Sequence, residues 1–136
     1  MLELKLLSFH HYGLATNNFD NSIKFHKNLG YSISDIVRDD LQDVDLIFCE
    51  SKSMPSVELV RPINSRSPIN NYIKKNNAII YHACYETSFD QENISNIFFN
   101  VDYIIVSEPK PAILFNNRLV SFYFVKDNGL IELLER

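Results

Sequence analysis

Two stretches decide how this chain is read: NGLIELLER (128–136) and SVELVRP (56–62). Each places one glutamate, Glu132 or Glu58, inside an apolar strand-like run. An ionised carboxylate is expensive to bury unless something pairs with it. Working back along the chain from each glutamate, 50 residues in one case and 47 in the other, leads to a histidine in a second strand-like run: His82 in IYHACYET (80–87) and His11 in FHHYGLAT (9–16).

The elements between them match as well. NFDNSIKFHKNLGY (18–31) reads as a helix, with Phe19, Ile23, His26 and Leu29 near one stripe and Gly30 as its stop. YSISDIV, VDLIFCE and SVELVRP follow as three strands. In the second half SFDQENISNIFF (88–99) reads as a helix that Ser88 could cap and Glu92 could close. VDYIIVSE, RLVSFYFVKD and LIELLER then read as strands, with PKPAILFNN (109–117) as a proline-bearing loop that could hold a short strand. Strand, helix and three strands therefore occur twice, which is an internal repeat. The expected fold is α+β: one domain over 1–136, with a βαβββ module over 8–66, a linker helix over 67–77 and a second module over 78–136. Paired, the modules would form a curved mixed sheet around a cleft.

Alternate residues of a strand share a face. Phe9, Gly13 and Ala15 share that of His11, Ser56 and Val60 that of Glu58, Leu130 and Leu134 that of Glu132. Each carboxylate thus points into a mostly apolar surface, and small residues beside His11 leave room for a cavity. A lone strand histidine is usually a core or rim residue, and a lone glutamate usually turns to solvent. Four such residues placed symmetrically argue instead for one divalent cation, Co, Ni, Zn, Mn or Fe, held by His11, Glu58, His82 and Glu132. His10 points to the opposite face and His26 lies on the helix stripe, so both read as structural. Asp39, Asp40, Asp43 and Asp45 read as a solvated acidic turn, and Cys84 as a small buried hydrophobe.

Composition excludes several classes. Thirteen basic residues stand against 17 acidic ones, with no basic stripe for nucleic acid. Two widely spaced cysteines and the absence of a secretion signal imply reduced thiols in the cytoplasm. No run is long enough to span a membrane, and three glycines leave no phosphate-cradling loop.

At HYGLAT, SIKFHKNLGY, VELVRPINSRSPINNYIKKN, IYHACYET and the segment from SEPKPA to IELLE, the chain resembles the vicinal oxygen chelate superfamily (glyoxalase, bleomycin resistance, dioxygenase). Within it the methylmalonyl-CoA epimerase family is most similar. The resemblance implies that the same four residues ligate a metal. It implies an isomerase that moves an α-proton of an acyl thioester, carried by CoA or another acyl carrier, through a metal-stabilised enolate. It also implies a homodimer acting on a small molecule. Glu132 would double as ligand and base, with Asp45 as the candidate second proton-transfer residue. A glyoxalase-type lyase and a non-catalytic small-molecule-binding member are the alternatives. Where the epimerases carry a loop with glycine and histidine, this chain has KPAILFNN.

Overall fold

The computed structural model describes residues 7–136. The described residues divide into a first unit, 11–81, and a second, 7–10 with 82–136. The division falls inside β1 (Ser8–Thr16), after His10, and inside β6 (Ala78–Thr87), after Tyr81.

In the first unit β1 leads into α1 (Phe19–Asn28). Asn18 caps this helix, its side chain accepting from the Asn21 N–H at 3.0 Å. Asp20 in the first turn and His26 and Lys27 in the last suit the helix dipole. Gly30, at φ +96°, turns the chain out as expected. The run expected as one strand is two, β2 (Ser32–Ile33) and β3 (Val37–Asp39), which pair with different parts of β4 (Val44–Glu50). β4 runs antiparallel to β5 (Ser56–Pro62), and β5 lies parallel to β1. Ile47, Cys49, Val57 and Leu59 pack with Phe19 and Tyr31 to form the core on the helix side. Only Asn70–Ile73 of the linker is helical, as α2.

The second unit repeats this plan. β6 leads to α3 (Gln91–Ile97), then β7 (Tyr103–Ala112), β8 (Arg118–Val125) and β9 (Gly129–Glu135). The cap of α3 is Asp90, which accepts from the Glu92 N–H at 2.9 Å; Ser88 instead accepts from the Asp90 N–H. β6 lies parallel to β9, and β9–β8–β7 is antiparallel. β7 absorbs Pro109 to Ala112, four of the nine residues expected as a loop. It tolerates Pro109 and Pro111 because only β8 pairs with it in this unit, and register shifts between Ile105 and Lys110 accommodate them. Phe98, Tyr123 and Leu133 form the core under α3. The fold class is α+β of the glyoxalase type, two βαβββ modules. Among the described residues no helix is long and apolar enough to cross a membrane.

Candidate metal centre

The parallel pairing of first and last strand places histidine beside glutamate in each unit. In the first, Gly13 stands opposite Glu58, two residues along the strand from His11. In the second, Cys84 stands opposite Glu132, two residues along from His82. The offset is identical. His11 Nε2 lies 3.8 Å from Glu58 Oε1, and His82 Nε2 lies 3.1 Å from Glu132 Oε1. All four residues are at most 5% exposed. Burial of both members explains why neither carboxylate stands alone in an apolar strand.

A third residue belongs to each half. Phe48 is the β4 partner of Glu58, and Phe122 is the β8 partner of Glu132. The Phe48 ring packs perpendicular to His11 at 5.7 Å between centroids and 89°. Phe122 packs against His82 at 5.6 Å and 88°. Such edge-to-face packing fixes the imidazole plane without consuming a ring nitrogen in a hydrogen bond. The sequence reading missed both phenylalanines, although each lies ten residues before its glutamate.

Two expectations need correction. Asp45, the candidate proton-transfer residue, lies on the other face of β4 from Phe48. It shares the side of Ile47 and Cys49 and pairs across β5 with Arg61. Its Oδ1 accepts from Arg38 Nε at 3.0 Å and its Oδ2 from Arg61 Nη2 at 2.9 Å. Arg38 first, with Arg61 adding to it, holds this carboxyl below the usual carboxylate range, against the opposing effect of burial. A carboxylate so engaged is a poor proton acceptor, and its two guanidinium contacts tie β4 to β3 and β5. The acidic turn is likewise not simply solvated. Asp39 is buried, and its side chain accepts from the Leu41 and Gln42 N–H groups and from the Gln42 side-chain amide.

His26 and His10 both pack against aromatic rings. His26 is buried, donates from Nδ1 to the Ser22 carbonyl at 2.7 Å and packs on Tyr31. His10 packs edge-on to Phe115. Cys49 and Cys84 are buried thiols, and burial pushes Cys49 up to about 11. A cavity of about 330 Å³ under α3 is lined by Tyr85, Phe98, Ile131 and Leu133. Ile131 and Leu133 alternate with Glu132, so this cavity lies on the opposite face of β9 from the His82–Glu132 pair.

A repeated βαβββ module with a buried His–Glu pair on its first and last strands defines a class of protein. The chain belongs to the Glyoxalase/Bleomycin resistance protein/Dioxygenase superfamily, whose model matches residues 10–122. Within it, the chain is 29% identical over 130 residues to the mitochondrial methylmalonyl-CoA epimerase of Dictyostelium discoideum, covering 93% of this chain and 76% of that one. The crystal structure of methylmalonyl-CoA epimerase from Mycobacterium tuberculosis superposes with a TM-score of 0.78 at 20% identity, over 99% of this chain and 92% of the other. A Streptomyces coelicolor methylmalonyl-CoA epimerase variant in complex with 2-nitronate-propionyl-CoA gives 0.77 at 16% identity, over 98% of both chains.

Proposed function

We propose that this chain is an isomerase of the methylmalonyl-CoA epimerase type, with His11, Glu58, His82 and Glu132 holding one divalent cation. The observation that carries the reading is the duplicated pair: the same residue types, strand offset, burial and phenylalanine contact in both units. The donor set fits such an ion. Two imidazoles and two carboxylates bring two negative charges to two positive ones. Ligands about 2.0–2.2 Å from a metal stand roughly 3.0–3.5 Å apart; the 3.1 Å of His82 and Glu132 falls in that range and the 3.8 Å of His11 and Glu58 lies just beyond it.

When bound, the ion would supply Lewis-acid stabilisation of the negative charge that appears on substrate oxygens as the α-proton leaves. The side chains supply the rest. The histidines, their planes held by Phe48 and Phe122, hold the ion and leave proton transfer to the carboxylates. Glu132 removes the α-proton. Epimerisation also needs a group that returns a proton to the other face of the carbon. With Asp45 turned away, Glu58 is the residue the repeat offers. The 29% identity to an epimerase over nearly the whole chain supports this substrate class, a CoA thioester with an acidic α-carbon. A homodimer belongs to the same proposal.

The test is exchange of the α-proton of methylmalonyl-CoA in deuterated water, each epimer assayed separately. Wild type exchanges both. Glu132→Gln and Glu58→Gln should each abolish exchange of one epimer preferentially. Equal loss for both epimers in both variants would reduce the glutamates to ligands and remove the two-base mechanism. No exchange by metal-supplemented wild type would overturn the epimerase reading.

A further inference from the structure

Strand register extends the His82–Glu132 site sideways across the second unit. His82 stands opposite Leu130, Leu130 opposite Phe124, and Phe124 opposite Ile104. Residues opposite one another share a face, so these four form one row running from β6 to β7. Phe122 and Glu132 lie in the adjacent row on that face. Neighbouring strands are 4.7–4.9 Å apart, so the row runs about 14 Å outward from the histidine strand.

Exposure rises along it: Leu130 is 8% exposed, Phe124 40% and Ile104 64%. Phe124 and Ile104 also line one open groove of about 460 Å³, whose other walls include Asp102, Lys126 and Asp127. Isolated exposed apolar residues are ordinary, whereas a contiguous apolar strip beside a buried polar pair marks a ligand surface. The first unit lacks the counterpart, since the residue opposite His11 is Ser56.

Resting on the epimerase-type reading, we propose that this row seats an alkyl group on the α-carbon of the substrate. The protein would then favour 2-alkylmalonyl thioesters with substituents longer than methyl. The three side chains past His82 are hydrocarbon throughout and offer no hydrogen bond. They therefore suit an alkyl chain, which needs no polar partner.

The experiment measures affinity of the metal-loaded protein for methyl-, butyl- and hexylmalonate by calorimetry. Each methylene that leaves water improves affinity up to about fourfold. Hexylmalonate is therefore expected to bind at least tenfold more tightly than methylmalonate. Phe124→Ser with Ile104→Ser should flatten the series, so that hexylmalonate loses its advantage over methylmalonate. Both positions are exposed, so the fold should tolerate them, and circular dichroism checks this. Ile105→Ser provides the control: Ile105 is also exposed but stands opposite Tyr123, on the helix side, and the series should survive its loss. A flat series in wild type, or equal flattening by Ile105→Ser, overturns the inference and leaves the epimerase-type reading standing. Failure to bind any malonate, with metal in place, removes that reading and the inference with it.

Discussion

Replacing Asp45 by asparagine separates a structural carboxylate from a catalytic one. The change keeps the side-chain shape and removes the charge that faces two guanidinium groups. The Asp45 side chain is 7% exposed, while those of Arg38 and Arg61 are 56% and 34% exposed. Hydrogen bonds to charged groups contribute about 1.5–3 kcal/mol each, and exposed ion pairs about 0–1 kcal/mol. The Arg38 contact is fully solvated and is left out; the Arg61 contact, discounted part of the way towards the exposed range, gives about 1–2 kcal/mol at pH 7. For a domain of this size that lowers Tm by roughly 3–8 °C. The pH dependence has a definite sign. The folded carboxyl is depressed, so its contribution is full above the ordinary aspartate value near 3.9. It is lost as pH falls through that value towards the lower, folded one. Urea unfolding of wild type and Asp45→Asn should therefore differ at pH 7 and converge in acid. Metal content and α-proton exchange should persist. Full stability at pH 7 together with lost exchange would refute this reasoning and return Asp45 to the reaction.

Elemental analysis of purified wild type should find about one divalent metal per chain, and a double variant, Glu132→Ala with His82→Ala, should lose it. Asn93, 1% exposed, donates from its side chain to Thr87 Oγ1 at 2.9 Å and to the Ser88 carbonyl at 2.8 Å. Asn93→Ala should cost about 2 kcal/mol in chemical unfolding without changing metal content. Cys49, with its thiol pushed up to about 11 and fully buried, should resist iodoacetamide at pH 8 in the native protein and react on unfolding, as read by mass spectrometry.

The repeat was legible because each module has two strands whose polar residue breaks an apolar run, at matching separations. Glu58 and Glu132 were conspicuous for that reason, and so were the helices, which have ordinary caps and stops. Asp45 misled because the sequence places it in β4 without showing which face it takes. That is fixed by its pairing with Arg61, 16 residues away, and such pairing has no local signature. Phe48 and Phe122 escaped because a phenylalanine in a strand reads as core, and only the register with β5 and β9 turns it toward histidine. The two prolines of β7 concealed its last four residues, since proline argues against a central strand but is permitted at an edge.

Parallel pairing of first and last strands also has a consequence for folding kinetics. Each His–Glu pair exists only after a chain segment of nearly fifty residues has closed on itself. A hairpin, by contrast, brings its ends together within a few residues. Such non-local closure delays folding, because chain entropy is lost before the distant contact rewards it. Helices and hairpins such as β8–β9 can form early, but neither half of the ligand set precedes the docking of β5 onto β1 or of β9 onto β6. A metal added to the unfolded chain therefore finds no preformed pair. If the four residues hold a metal as proposed, its uptake is a late clock for folding, following strand docking in each module and not local structure.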